Sequence, residues 1–178
     1  MGVILKIAGF ELTDIEASDA PEVFARLTSK PSVMRYLPIK VHGTVEETEK
    51  LIAYYGELRA KGAMRIGVIR TSDTPWQTRI IGVMGFSATG HAIALALKIA
   101  PDRYAMGVGR ILAPHVVHWL LAHDNCRRVW AYTDVDNHGV ANLLRKMGAL
   151  CEGTLRKYAI HPNISDEPRD CHIWSIIK

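Results

Sequence analysis

The chain has 178 residues, 48% of them hydrophobic and 22% charged, with a formal net charge of +4. That length fits one domain with a sizeable apolar core, and the composition excludes disordered, collagen-like and disulfide-scaffold chains. Three widely spaced cysteines, Cys126, Cys151 and Cys171, form no CxxC pair and read as free thiols in a reducing, cytoplasmic compartment.

The basic excess is mild. Residues 1–90 carry 11 basic and 10 acidic side chains, and residues 91–178 carry 11 and 8. Without a basic stripe interleaved with aromatics, no nucleic-acid partner is expected. A small anionic ligand suits the charge. No signal peptide is visible at the start of the chain. No apolar run approaches the roughly 20 residues of a membrane span, so the chain is expected to be soluble with no membrane partner.

Val3, Leu5 and Ile7 alternate, and Phe10 and Leu12 resume the pattern after Gly9. This predicts one first strand, bulged at the glycine. Ser18 is placed to cap a helix with Pro21 in its first turn and Ala20, Val23, Phe24 and Leu27 on one face. Thr44-Val-Glu-Glu47 has the spacing of a capping box. Leu51, Ile52, Tyr55 and Leu58 follow at helical intervals, and Gly62 ends that helix. Residues 64–70 and 79–88 read as strands around a polar loop at 71–75. Residues 91–99 read as a further strand, closed by Pro101. Residues 107–124 predict a helix with Ile111, Leu112, Val116, Trp119 and Leu120 on its apolar face. Pro114 inside it predicts a kink or a break, at roughly 3 kcal/mol for an interior position. Residues 129–133 form a short strand, and 137–147 a helix with Gly148 after its end. Two strands follow near 150–160 and 171–177. This order predicts a single α/β (α+β) domain over residues 1–178, with a mixed, mostly antiparallel, seven-stranded sheet and flanking helices.

The stretch Tyr104-Ala-Met-Gly-Val-Gly-Arg110 lies between a predicted strand and a predicted helix. Glycines let the backbone approach a ligand, and the first N–H groups of a helix bind phosphate. Met106, Gly107, Val108, Gly109 and Arg110 are therefore candidates for a phosphate site. A tight strand-to-helix turn that binds nothing explains Gly-x-Gly equally well. The stretch lacks the Gly-Lys-Ser/Thr of a Walker loop and the third glycine of a dinucleotide fingerprint.

This segment resembles the acyl-CoA loop of the GNAT superfamily of N-acetyltransferases, Arg/Gln-x-x-Gly-x-Gly/Ala. Asp136-Asn-His-Gly-Val-Ala-Asn-Leu-Leu-Arg-Lys-Met-Gly148 is similar to the family's Asn-led helix. Cys151-Glu-Gly-Thr-Leu-Arg156, Arg169-Asp170 and Trp174-Ser-Ile-Ile177 look like strands of the branch that holds the ribosomal-protein N-terminal acetyltransferases. Phe10-Glu-Leu, Asp19-Ala20 and Val33-Met-Arg-Tyr-Leu37 fit its beginning. The resemblance covers nearly the whole chain, in order.

The resemblance implies a V-shaped splay between two central parallel strands, with acetyl-CoA as acyl donor and no metal. Leu97, Lys98 and Ile99 would pair through their backbones with the pantetheine. Backbone N–H groups from Met106 to Arg110 would hold the pyrophosphate. Asn137 would bond the pantetheine arm, and Arg145 or Lys146 would reach the adenosine 3′-phosphate. A neutral primary amine, from a protein N-terminus or a small molecule, would attack the thioester directly. A backbone N–H on the strand of Leu97 would serve the oxyanion. The protein is expected to be a monomer or homodimer.

The sequence departs from the family pattern. The position of the usual Glu base is Ala94, and that of the usual Ser on the Asn-led helix is Val140. Leu143 and Leu144 stand where other branches place a Tyr acid. Tyr104 and Ala105 replace the usual start of the loop. No catalytic residue is therefore assigned. His91, His138 and Glu11 are alternative proton acceptors. His115 and His118 lack an acidic or cysteine partner at ligand spacing, so helix-surface roles are favoured over metal binding. Trp119 and Trp130 read as core, and Tyr36, Tyr54 and Tyr55 as acceptor contacts. Ala94 and Val140 motivate a second reading, a non-catalytic acyl-CoA-binding sensor. A third is a nucleotide-binding enzyme of another class.

Overall fold

The computed structural model describes residues 3–7, 9–74, 77–104 and 106–178, the side chains of 72–74, 77 and 78 excepted. Eight strands form one sheet: β1 (Val3–Ile7), β2 (Phe10–Asp14), β3 (Arg65–Thr74), β4 (Gln77–Thr89), β5 (Ala92–Ile99), β6 (Arg128–Asp134), β7 (Leu150–Ala159) and β8 (Arg169–Ile177). Their order is β1-β2-β3-β4-β5-β6-β8-β7, and only β5 and β6 run parallel.

The expected seven strands become eight because Gly9 turns the chain rather than bulging it. Its φ of +83° is open to glycine at little cost, and Ile7 pairs directly with Phe10 across the turn. The expected loop at 71–75 is also shorter. The backbone of 71–74 extends β3, and Pro75 lies outside the described residues.

A bulge shapes the centre of the sheet. Ile69 pairs with Gly82 and Arg70 with Ile80, which leaves Ile81 as the extra residue. A Cβ on Gly82 would stand 2.4 Å from the Lys98 carbonyl oxygen, so only glycine fits this close approach of β4 to β5.

Helices cover both faces. One face carries α1 (Ala20–Val23), α2 (Pro31–Met34) and α3 (Val45–Ala60) over Ile66, Val68, Ile80 and Val83. The other carries α4 (Val108–Ala122) over Leu12, Ile69, Ile81, Met84 and Ile99. α5 (His138–Lys146) lies on the α4 side, where Leu143 approaches Gly109.

The first helix is broken more than its sequence predicts. A 3-10 turn (Ala17–Asp19) precedes α1, and a π-turn (Phe24–Thr28) follows it. Glu16, not Ser18, is the cap, in a reciprocal box with Asp19. Ser29 directs both its N–H and its hydroxyl to the Phe24 carbonyl, at 3.1 and 2.6 Å, and this holds the wide turn. The Thr44–Glu47 box forms as expected and starts α3.

α4 runs through Pro114 without a break. Its buried stripe is Val108, Leu112, Ala113, Val116, Val117 and Leu120. Ile111 turns outward, and Trp119 lies at the stripe's border against Phe86. Cys126 and Cys171 are buried free thiols, and Cys151 is an exposed one.

Candidate functional site

The site begins where the sheet stops pairing. β5 and β6 are joined only at Ala92–Arg128, Ile93–Val129 and Ala94–Trp130. Beyond these, β6 continues its ladder with β8 as far as Asp134, while β5 continues with β4 as far as Ile99. Among the described residues, the β5 edge from Leu95 to Ile99 has no strand beside it, and the two strands open into a V. Leu97, Lys98 and Ile99, predicted for this role, lie on that edge.

The start of α4 faces the V from one side. Gly107 caps α4 in the left-handed conformation, φ +67° and ψ +20°. The Met106 and Gly107 N–H groups bond to Arg103 and Tyr104, and the Arg110 N–H bonds to Gly107. Among the described residues, the Val108 and Gly109 N–H groups have no backbone partner, as expected for the first turn of a helix. Among the described residues, Val108 and Gly109 thus present two adjacent donors at the positive end of α4. Arg110 is exposed beside them. Ala105 lies outside the described residues.

Asn137 caps α5, its side-chain oxygen accepting from the Val140 N–H at 3.4 Å. Arg145 donates to Asn142 and lies 5.2 Å over the Trp174 ring, which holds its guanidinium at the α5 surface.

The opposite face of the V is polar and stapled. Asp134 is buried and accepts from Arg169 Nε at 2.6 Å, Arg169 Nη2 at 3.0 Å and the Asp136 N–H at 2.9 Å. Burial pushes the Asp134 pKa up, but the Arg169 hydrogen bonds and charge outweigh it and hold the carboxyl below its usual range. His161 Nε2 lies 3.5 Å from Asp134 and 3.8 Å from Cys171 Sγ. These three have the composition of a nucleophile triad without its function. Burial and the Asp134 charge push the Cys171 thiol up to about 11, and Cys171 is fully enclosed.

Asn163 ties the α2–α3 loop to the β7–β8 loop. Its Nδ2 donates to the Met34 and Ile39 carbonyls, and its Oδ1 accepts from the Val41 N–H. Tyr36 adds a hydroxyl bond to the Asp136 carbonyl. Between these loops lies a cleft of about 740 Å³, lined by Pro38, Tyr132, Tyr158, Ile160 and Pro162. The Tyr132 and Tyr158 rings meet edge-on at 5.1 Å. His42 lies on this face too, its Nδ1 2.7 Å from Thr48 Oγ1, which in turn lies 2.7 Å from Thr28 Oγ1. Burial holds its imidazole pKa below the usual value.

Ala94 forms the last β5–β6 pair, so the closed end of the V carries no ionisable side chain there. Glu11 is not brought to the site: it pairs with Lys6 at 3.2 Å on β2, three strands from β5. His91 precedes β5 at the closed end, and His138 is exposed on α5. His115 bonds back to the Ile111 carbonyl on the α4 surface. Among the described residues no His, Cys, Asp or Glu cluster is arranged to hold a metal, and no helix is long and apolar enough to cross a membrane. Sequence reasoning passed over His42, Asn163 and the Asp134–Arg169 pair. The partners of Asn163 and of Asp134 are remote in the chain, and the short His42–Thr48 contact follows no recognised spacing.

A parallel pair splayed over a glycine-led helix start defines an acyl-CoA-type acetyltransferase fold. Residues 10–150 match the family described as Acetyltransferase (GNAT) domain, and the chain belongs to that family. It is 29% identical over 98% of its length, and 97% of the relative's, to the uncharacterized N-acetyltransferase YoaA of Bacillus subtilis (strain 168). The fold is shared with RimL, a ribosomal L7/L12 alpha-N-protein acetyltransferase solved with coenzyme A: TM-score 0.82, 16% identity, 98% of this chain and 97% of that one. It is shared also with spermidine N-acetyltransferase from Vibrio cholerae, solved with CoA and spermine: TM-score 0.77, 19% identity, 95% of each chain.

Proposed function

We propose that the chain is an acetyl-CoA-dependent N-acetyltransferase that moves an acetyl group to a primary amine, either a protein N-terminus or a small amine. The observation that carries this is the β5 edge from Leu95 to Ile99, unpaired among the described residues, leading toward the first N–H groups of α4 at Val108 and Gly109. An extended pantetheine arm suits the first and a pyrophosphate suits the second. Leu97, Lys98 and Ile99 contribute backbone to the arm, and Asn137 offers its amide nitrogen from the far wall. Met106, Gly107 and Arg110 shape the phosphate turn, and Arg145 on α5 is assigned to the adenosine 3′-phosphate. CoA-bound titles among proteins of the same fold, RimL and the Vibrio cholerae spermidine enzyme, support the same donor.

The amine attacks the thioester carbonyl carbon, and the C–S bond breaks to release CoA thiolate. A thiol of pKa near 8.5 leaves without a dedicated acid, which suits the aliphatic Val140, Leu143 and Leu144. With alanine at position 94 and Asp134 locked by Arg169, the amine's proton leaves to water in the open cleft.

The test is thiol release from acetyl-CoA against a panel of amines and short peptides. Turnover that needs both acetyl-CoA and an amine is expected. Tight acetyl-CoA binding without release on any amine would replace this reading by the sensor that Ala94 and Val140 favour.

A further inference from the structure

The β5 alternation sorts its side chains between the two faces. Leu97 and Ile99 go to the α4 face, where Leu97 lies near Gly109. Ala94, Ala96 and Lys98 go to the face of α1, α2 and α3. Ala96 is exposed although it sits in mid-strand with β4 on one side, so the cleft on this face reaches the sheet itself. Lys98 is the next side chain along that floor.

Lys98 is half-buried at that floor. Burial pushes its pKa down to about 8, and no acidic group offsets this. Among the described residues it makes no ion pair. The neighbour that feels its charge is His42, itself basic. Glu47, which also acts on His42, spends its carboxylate on the Gly43 and Thr44 N–H groups. Asp134 across the V is spent on Arg169. The phosphate turn at Val108 and Gly109 lies on the other face, so a pyrophosphate seated there does not supply the counter-charge. A half-buried ammonium that faces an open cleft and has no counter-ion of its own is placed to take an acidic group of a ligand.

We propose that the acceptor is a primary amine bearing an acidic group, and that Lys98 binds that group from the floor of the cleft. This rests on the acetyltransferase reading of the same cleft. It excludes polyamines as preferred acceptors, because their second ammonium would meet Lys98. The acidic group has two sources: the carboxylate of a small amino acid, or an acidic side chain next to a peptide N-terminus.

The experiment pairs each acid with its amide: β-alanine with β-alaninamide, and a Ser-Glu-led peptide with its Ser-Gln counterpart. Spermidine is the cationic control. Thiol release from acetyl-CoA gives kcat/KM for each. In parallel, trace labelling of Lys98 by deuterated acetic anhydride, read by mass spectrometry, is followed with and without each probe and needs no turnover. In at least one pair the acid should be preferred by roughly tenfold or more. Lys98→Arg should keep that ratio and Lys98→Met should bring it near one. The pair that shows the preference identifies the source. The preferred acid, and not its amide, should slow Lys98 labelling. Equal turnover of acid and amide in both pairs, a preference for spermidine, or a ratio unchanged in Lys98→Met overturns the proposal and leaves the acetyltransferase reading intact. Protection of Lys98 by an acid without turnover on any amine overturns the acetyltransferase reading and leaves the anion site standing. Neither protection nor an acid preference in any pair removes the anion site.

Discussion

Gly107 offers the cleanest separation of backbone from charge at the phosphate turn. Its φ of +67° is left-handed, and a Cβ placed on it meets nothing within 4 Å. Gly107→Ala therefore pays only the left-handed penalty, roughly 1–2 kcal/mol. For a chain of this size that lowers Tm by roughly 2–8 °C. The Val108 and Gly109 N–H groups keep their places, so acetyl-CoA affinity should survive. Gly107→Glu carries the same penalty and adds a carboxylate beside the proposed pyrophosphate position. Unit charges 4 Å apart at an effective dielectric of 20 repel by about 4 kcal/mol, and a side chain that swings away feels about half of that. The expected loss is roughly 30- to 1,000-fold in Kd. Calorimetric titration of acetyl-CoA into both variants measures it. Thermal shift gives a second reading, since ligand at a hundred times Kd stabilises by about 2.7 kcal/mol. A folded Gly107→Glu protein whose Kd lies within about threefold of the alanine variant would place the phosphates elsewhere.

Gly82→Ala sets a Cβ 2.4 Å from the Lys98 carbonyl oxygen and 3.0 Å from Ile99 Cδ1. Backbone has to move, at roughly 1–3 kcal/mol of overpacking, and it moves at the strand assigned to the cofactor. Urea unfolding should show the loss and acetyl-CoA titration a weaker Kd; wild-type values in both would refute the close approach. Arg169→Met leaves Asp134 buried without its cation and should cost about 3 kcal/mol or more at pH 7. The Asp134 pKa is depressed in the folded state, so the pair's contribution is whole above the unfolded carboxyl value near 3.9 and is lost as pH falls through the folded value. In the variant a protonated Asp134 no longer needs the arginine. The stability gap between wild type and variant should narrow on acidification, and a gap constant from pH 7 downward in urea titrations would refute the pairing.

What the sequence made legible was local. The Thr44–Glu47 box and the glycine turn at Gly107 each act within one helical turn, so spacing suffices to see them. Gly9 was seen as a break but not as a turn, because bulge and hairpin both use glycine and only the pairing of Ile7 with Phe10 decides. The need for Gly82 comes from the Lys98 carbonyl on another strand. The breakdown of the first helix depends on Ser29 doubling back on Phe24. Asn163 and Arg169 work on segments far away in the chain. At the V, family likeness supplied the cofactor edge, while the lone ammonium of Lys98 is visible only when the faces of β5 are sorted in three dimensions.

The three-pair junction at Ala92–Ala94 also bears on how the molecule holds together. On one side of it stand five strands and on the other three, each set laced by long ladders. The junction is thus the sheet's thinnest seam, and a donor lying along β5 would act as an extra thread across it. Binding the donor there would lengthen the seam's stitching, and releasing CoA would shorten it. Turnover and the stiffness of the sheet would then be one cycle, and the amides of β5 should be most protected from solvent exchange while the donor is seated.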